Sequence, residues 1–556
     1  MPDSHNKFVQ FWNELKRRRV IHVTIVYSTA AFIIIELVNN VFEPLRMPEW
    51  TPTVVILILI IGFPVAVILS WFFDLTFKGI VKTTDLRSQM EGFSVFENSI
   101  AVLPFQDISS EKDQEYFCDG ITEEIIHALA RVESLKVIAR TSAFAFKNKQ
   151  VDIRKIGEEL NVETLLEGSI RKHGNQLRIT AQLINVTDGF HIWSEVYSRD
   201  LEDVFAIQEE ISLAIVKNLK IKLLDHSAGE LVSHHRVDPE SFELLLLAHY
   251  HQSKGSKQSM TKAIEYYDQV IERAPDNAQA YAGLSACHTL LGFWNYLPPK
   301  SAFQRAMETA QKSVELDPEL PEAHRSLGLI QIYSGWEWEN AENEYRKGIE
   351  LSPNYADAYA GLSLLYIVLG RLDESLRFGT RAFELDPLSV PTNIAKGTAL
   401  LRMGHIQEAR RDFLRTLELE PSFAEGQWLM GHTYILEGNN EKGIFEIKKA
   451  LDQSADSVVI LSGLGWAYGV TGQRKEAEEI LSVLEQRSKA EHIRPYLLAK
   501  VYASLGKKDM AFQCLNQAYE EHDVSLVFIL CDETMNPLRD DDRFDHLLKK
   551  LQLKST

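Results

Sequence analysis

The chain has 556 residues, 45% of them apolar and 25% charged, with 29 Gly, 18 Pro and only 4 Cys, which excludes a collagen, a disordered polyampholyte and a disulfide-stapled scaffold. The formal net charge of −19 argues against a general nucleic-acid binder, whose surface must replace counterions with Lys and Arg. Cys118, Cys287, Cys514 and Cys531 form no C-x-x-C and no metal-ligand spacing, as expected of reduced thiols in a cytoplasm.

In residues 1–19, Phe8, Phe11, Trp12 and Leu15 recur at helical spacing just before Lys16 to Arg19, the pattern of a basic amphipathic helix lying in a headgroup layer. Residues 20–42 and 54–74 are two apolar stretches, each near the ~20 residues a helix needs to cross the hydrocarbon. The first is too long for a signal-peptide core and has no small-x-small cleavage pattern, so both read as membrane spans. Cations cluster before the first (Lys7 and Lys16 to Arg19) and after the second (Lys78, Lys82, Arg87), with Arg46 alone between, which predicts both chain ends on the cytoplasmic side. Gly62 and Pro64 predict a kink in the second span, and Glu36 lies within a turn of the Asn39-Asn40 exit, where it reaches the interface. Residues 75–98 read as a linker.

Residues 99–224 read as a small α/β domain. Ser99 to Phe105 is a buried strand, followed by an amphipathic helix over 120–131 that Asp119 or Thr122 can cap, with Glu123 and Glu124 at its positive end. Residues 135–139 form a second strand and 153–160 a second helix. Then 164–171, 176–186 and 190–197 make a meander, because His173-Gly174-Asn175 and Asp188-Gly189 supply left-handed turn residues. A helix over 201–224, with Val204, Ile207, Ile211, Ile215 and Leu219 on one side, closes the unit.

Beyond residue 240 the period changes. Pro318, Pro353, Pro387 and Pro421 follow one another by 35, 34 and 34 residues, each in a Leu-x-Pro, and ten residues after successive period marks stand Ser285, Gly328, Ser363, Gly397, Gly431, Gly465 and Ala499. All seven are small, as two helices crossing closely require. A 34-residue period is the tetratricopeptide signature and predicts about eight helical hairpins over 240–523, with about nine extra residues near 293–301. The tail 524–556, with Asp540 to Asp542, reads as a polar-faced cap over the last apolar layer.

The wording of several segments is also recognisable. Ile100 to Phe105 (IAVLPF), Tyr116 to Ile125 (YFCDGITEEI), Leu166 to Arg171 (LEGSIR), Leu177 to Ile184 and Trp193 to Tyr197 resemble the TolB-like amino-terminal domain of a family of bacterial tetratricopeptide proteins. Phe11 to Val20 (FWNELKRRRV), Gly62-Phe-Pro and Pro537 to Phe544 (PLRDDDRF) resemble the same family. The resemblance implies a bacterial inner-membrane protein. In that family this segment is often joined to a class III nucleotide cyclase or a winged-helix module, and the expectation here is that neither is present.

The fold class expected is therefore mainly α: a two-helix transmembrane hairpin, a small TolB-like α/β domain and a tetratricopeptide solenoid. Its concave side suits a protein or peptide partner, and the usual groove pattern of the family places Arg325, Leu364, Arg402, Trp428, His432 and Trp466 there. No phosphate-cradling G-x-x-x-x-G-K-[ST] and no G-x-S-x-G elbow occurs, and Gly463-x-Gly465 lies inside a repeat helix as a packing element. His234-His235 and His249-x-His251 lack the companions of a zinc site, so no metal, cofactor or catalytic residue is assigned. The function expected is a membrane-tethered adaptor for a protein partner. A signalling regulator acting with a cyclase or transcription factor, and an enzyme with an unrecognised site in the α/β domain, are the alternatives.

Overall fold

A computed structural model describes residues 98–219 and 238–554, apart from 110, 112, 174–175, 201–203, 295 and 455–456, together with 73–76, 79–82 and positions 55, 57, 59 and 63. The span read over 20–42 lies outside the described residues, as does most of that over 54–74. Positions 55, 57, 59 and 63 are helical, and among the described residues no helix is long and apolar enough to cross a membrane.

The chain divides into two compact units, residues 1–93 and 94–556. In the first, β1 (Phe73–Thr76) pairs antiparallel with β2 (Gly79–Lys82). Residues 73–76 and 79–82 are thus strand, where the sequence reading placed the end of a span and the start of a linker.

The second unit opens on a mixed sheet in the order β5-β3-β6-β7-β8. β3 (Asn98–Val102) runs parallel to β5 (Leu135–Val137) and to β6 (Thr164–His173); β4 (Gln106–Asp107) adds to β6, and β7 (Gln176–Asn185) and β8 (His191–Asp200) complete an antiparallel meander. Gly189 turns the β7–β8 corner at φ +74°, a conformation that favours glycine. On one face, Leu177, Ile179, Ala181 and Leu183 pack under α1 (Glu115–Ala130) and under α4 (Val204–Asn218), which follows α2 (Arg140–Phe144) and α3 (Ile153–Leu160) in the chain. On the other, Ala101, Ile138 and Leu165 meet Ile156 and Leu160 of α3. Helix α1 begins five residues before the expected start. Asp119 and Thr122 are therefore buried inside it rather than capping it, Asp119 held by Lys147 Nζ at 2.7 Å and Thr122 donating to Cys118 O at 2.7 Å.

Eight helical hairpins follow. Their first helices are α5 (Pro239–Gln252), α7 (Ala278–Phe293), α9 (Pro321–Ile330), α11 (Ala356–Val368), α13 (Val390–Arg402), α15 (Ala424–Leu436), α17 (Val458–Val470) and α19 (Pro495–Ser504). Their second helices are α6 (Lys257–Arg273), α8 (Pro299–Leu316), α10 (Trp338–Leu351), α12 (Leu372–Leu385), α14 (Ile406–Leu419), α16 (Asn440–Gln453), α18 (Arg474–Arg487) and α20 (Lys508–Glu520). The small-residue column sits where the helices cross: a Cβ on Gly431 would stand 2.9 Å from Gly443 O, and Ser363 Oγ donates to Ser375 O at 2.9 Å. The chain ends in two 3-10 turns (Val524–Phe528, Glu533–Leu538) and α21 (Asp542–Lys550).

Candidate functional site

The inward side of the array is where a repeat protein of this kind can hold a ligand, and here the chain itself fills much of it. At the amino-terminal end the α/β sheet unit sits against the first helices of the early hairpins. Phe242 and Leu246 of α5 belong to the same apolar cluster as Ile121, Ile125 and Leu129 of α1. The loop that enters α11 and the end of α12 are bonded to β5 and the residues after it: Asn354 Nδ2 lies 2.8 Å from Leu135 O, its Oδ1 accepts from Val137 N at 3.3 Å, and Ala139 N donates to Leu385 O at 2.8 Å.

Between α1 and the first helices of the array remains a cavity of about 380 Å³. Its α1 wall carries Glu123, Glu124 and His127, and its array wall carries Glu322, Arg325 and Asp357. Glu123 is paired with Arg140 Nε at 3.0 Å. The other two pairs are loose, His127 Nδ1 to Glu322 and Arg325 Nη2 to Asp357 each at 3.9 Å. With 33% and 32% of their side-chain surfaces open, His127 and Glu322 form a screened pair worth under about 1 kcal/mol.

Charge is unevenly balanced within this wall. Burial raises the Glu124 carboxyl above its ordinary range, reinforced by Glu123 and Glu322 and opposed by His127. Burial works against a charge on His127, but Glu322, Glu123 and Glu124 outweigh it and raise the imidazole. For His249, burial dominates and lowers the pKa. The arrangement is an acid-rich pocket with an Arg at its far wall, suited to holding a polar or charged group at a domain interface. Reading Glu123 and Glu124 as helix-end electrostatics alone is therefore a correction. Because α1 starts early they lie in its middle, facing the array, and no local spacing signals that distant wall.

The expected groove residues separate into two places. Arg325 lines this cavity, and Leu364 is half-buried on α11. Arg402, Trp428, His432 and Trp466 are brought together farther along, around the tail. Glu533 forms an ion pair with Arg402, and its Oε1 lies 2.7 Å from His432 Nε2. His432 stacks on Trp466 with ring centroids 4.4 Å apart and meets Trp428 edge-on at 6.0 Å. Trp428 packs on Gly463, where a Cβ would stand 2.2 Å from its Nε1, and Lys500 lies over its ring at 5.3 Å. Burial, with Arg402 and Lys500 close by, lowers the His432 pKa.

The tail is more than the expected cap over the last layer. Phe528 and Cys531 join a cluster with Ile367, Leu400 and Met430; Tyr496 OH donates to Asp532 at 2.9 Å; and Trp338 Nε1 reaches back to Leu551 O at 2.9 Å. Leu526, Val527, Ile529, Met535, Leu538, Phe544, Leu548 and Leu551 are at most 2% exposed. At roughly 1.5–3 kcal/mol for each such side chain, this segment belongs to the core and is not a removable cover. Burial also pushes the Cys118 and Cys287 thiols up to about 12. Among the described residues no group of three or more His, Cys, Asp or Glu could hold a metal ion.

Residues 96–214 match the model of the HilA/YgeH-like transcriptional regulator, second domain, while residues 394–458 and 496–521 match tetratricopeptide repeat models. The chain is 42% identical over 233 residues to putative adenylate cyclase 3 of Rhizobium meliloti (strain 1021), covering 42% of this chain and 40% of that one. It is 22% identical over 302 residues to transcriptional regulator HilA of Salmonella typhimurium (strain LT2), covering 54% and 53%. The chain thus spans well under two thirds of the length of either relative. A solved tetratricopeptide repeat protein from Parabacteroides merdae is 16% identical over 49% of this chain and 98% of that one, with a TM-score of 0.35. Residues 394–458 and 496–521 therefore carry tetratricopeptide repeats, and the helical hairpins over 239–520 repeat the same two-helix unit.

Proposed function

We propose that the protein is an inner-membrane-tethered scaffold that binds a protein partner through the amino-terminal part of its concave side. The observation that carries the reading is the cavity of about 380 Å³ between Glu124 on α1 and Arg325 on α9, where the array wall and α1 stand apart. In this reading Arg325 and Leu364 face the partner, and Arg402, Trp428, His432 and Trp466 hold the tail that stiffens the array. The tether rests on the apolar stretches over 20–42 and 54–74 and their basic flanks; confinement to a surface would raise the effective concentration at which a weak contact operates.

A second reading is a signalling regulator, favoured by the match of residues 96–214 to a domain of transcriptional regulators and by the relative named as a putative adenylate cyclase. A TolB-like sensory role and any cyclase-associated or transcription-associated activity belong to that reading.

The test places a photo-crosslinking residue at position 124 of the full chain in cells. A discrete intermolecular product that fades in Arg325→Glu supports the scaffold, and products confined to the chain itself overturn it. Resistance of the chain to alkaline extraction from membranes tests the tether. Stabilisation of the purified chain by a nucleotide in a thermal-shift assay would favour the regulator instead.

A further inference from the structure

We propose that β8 is the seam of a homodimer, pairing antiparallel with β8 of a second copy about a two-fold axis at Tyr197. Strand β8 ends the sheet order, and among the described residues its only partner is β7. An edge strand offers unpaired backbone donors and acceptors along its free side, so proteins that must stay monomeric protect such edges with Lys, Pro, bulges or a covering element. Ten-residue β8 (HIWSEVYSRD) carries no Lys and no Pro, and every residue from Ser194 to Asp200 except Tyr197 is exposed. Val196 is 47% exposed.

The one irregularity limits where pairing can occur. His191 faces Ile184 and Trp193 faces Leu183, so Ile192 is an extra residue and bends the beginning of the strand. From Ser194 to Asp200 the ladder is regular.

Within that stretch the side chains are self-complementary. Glu195, Tyr197 and Arg199 share one face of the strand, and Ser194, Val196 and Ser198 share the other. An antiparallel dyad at Tyr197 sets Glu195 of each copy opposite Arg199 of its mate, giving two identical charge pairs. On the opposite face it brings the two Val196 side chains together diagonally, each beside a Ser198. A parallel in-register pair would instead oppose Glu195 to Glu195 and Arg199 to Arg199, so the charges select the antiparallel arrangement. Both groups are free to change partners: Arg199 lies 3.9 Å from Glu210 in a pair that is 49% and 47% exposed, and Glu195 accepts only a 3.2 Å bond from Tyr197 OH among its described contacts. A single strand pair buries less than the roughly 1,200 Å² of a standard interface, so the dimer belongs to the weak, transient class.

The test is sedimentation equilibrium of the full-length chain in mild detergent, with charge reversals as the diagnostic. Glu195→Arg and Arg199→Glu alone place like charges across the dyad and should each weaken dimerisation about tenfold or more, whereas the double reversal should restore it. Val196→Lys should give a monomer. The three positions changed, Glu195, Val196 and Arg199, are all exposed, and unchanged thermal unfolding confirms that each variant is folded. A chain that is monomeric at concentrations on the order of 100 µM overturns the proposal, as does a dimer that ignores the single reversals or is not recovered by the double one.

Discussion

The backbone amide of Ser142 donates to Asp386 Oδ1 at 2.9 Å, and the Ser142 hydroxyl donates to the same oxygen, across 244 residues of chain. One carboxyl group at the entry to α13 thereby fastens the sheet unit to the middle of the array. The arrangement has a cost. Burial raises the Asp386 pKa to about 7, with Asp357 adding to the shift and the Ser142 bonds opposing it.

Between about pH 4 and 7 the folded chain therefore keeps a proton at Asp386 that the unfolded chain has lost. This contribution makes stability fall as pH rises through that window and level off above it, by an amount on the order of 4 kcal/mol. Asp386→Asn keeps the accepting oxygen and removes the charge. Urea unfolding at pH 5 and pH 8 should show the variant losing this part of the decline, so that its advantage over the parent is largest at pH 8.

Asn354 should be the most sensitive polar position at the same junction. It is 3% exposed, its Nδ2 lies within 3.2 Å of Ala130 O, Val132 O and Leu135 O, and its Oδ1 accepts from Val137 N. Asn354→Ala leaves these groups buried without partners and should cost about 2–3 kcal/mol. Asn354→Asp should be worse, because it sets a carboxylate against three carbonyl oxygens. Amide exchange at Val137 is the local readout and should accelerate in both variants.

How much of this could be read in advance depended on whether a feature repeats or acts locally. The 34-residue spacing located the hairpins because each one must bury the same face against the next. The stacking of His432 on Trp466 follows the same rule, since the two positions are 34 residues apart and occupy equivalent places in successive first helices. Helix α3 lies where the sequence placed it, and its cap is local: Asp152 accepts from Arg154 N at 2.8 Å. Five-residue α2 is too short to show a period. Contacts such as Glu533 with Arg402, or Asn354 with Val137, join segments whose separation leaves no trace in local composition. For that reason the tail looked like a cap and the middle of α1 looked like a helix end.

The crossing column offers a test of close approach. A Cβ on Gly431 would lie 2.7 Å from Ile447 Cγ1 and 2.9 Å from Gly443 O, and the second contact is to backbone that cannot rotate away. Gly431→Ala should lower stability by about 1–3 kcal/mol despite alanine's better helix propensity. Gly404→Ala is the informative contrast. Nothing stands within 4 Å of its Cβ position, and its cost comes from backbone strain at φ +81°. If chemical denaturation showed Gly431→Ala to be neutral, the α15–α16 pair would not pack as closely as described.

Glu533 provides the sharpest test of the tail's role, because it stands between two groups from different repeats. Its side chain and that of Arg402 are only 16% and 15% exposed, so removing the carboxylate strands a guanidinium in the interior. Glu533→Ala should therefore cost about 3–5 kcal/mol, and Glu533→Gln less, since an amide oxygen can still accept from Arg402. Replacing both partners by apolar residues, Arg402→Met with Glu533→Leu, should recover most of the loss, because the desolvation of two charges disappears along with their attraction. A double-mutant cycle by urea unfolding measures this coupling. If the tail were instead a loosely held cover, all of these variants would unfold with the parent's midpoint and only local exchange in residues 524–551 would change.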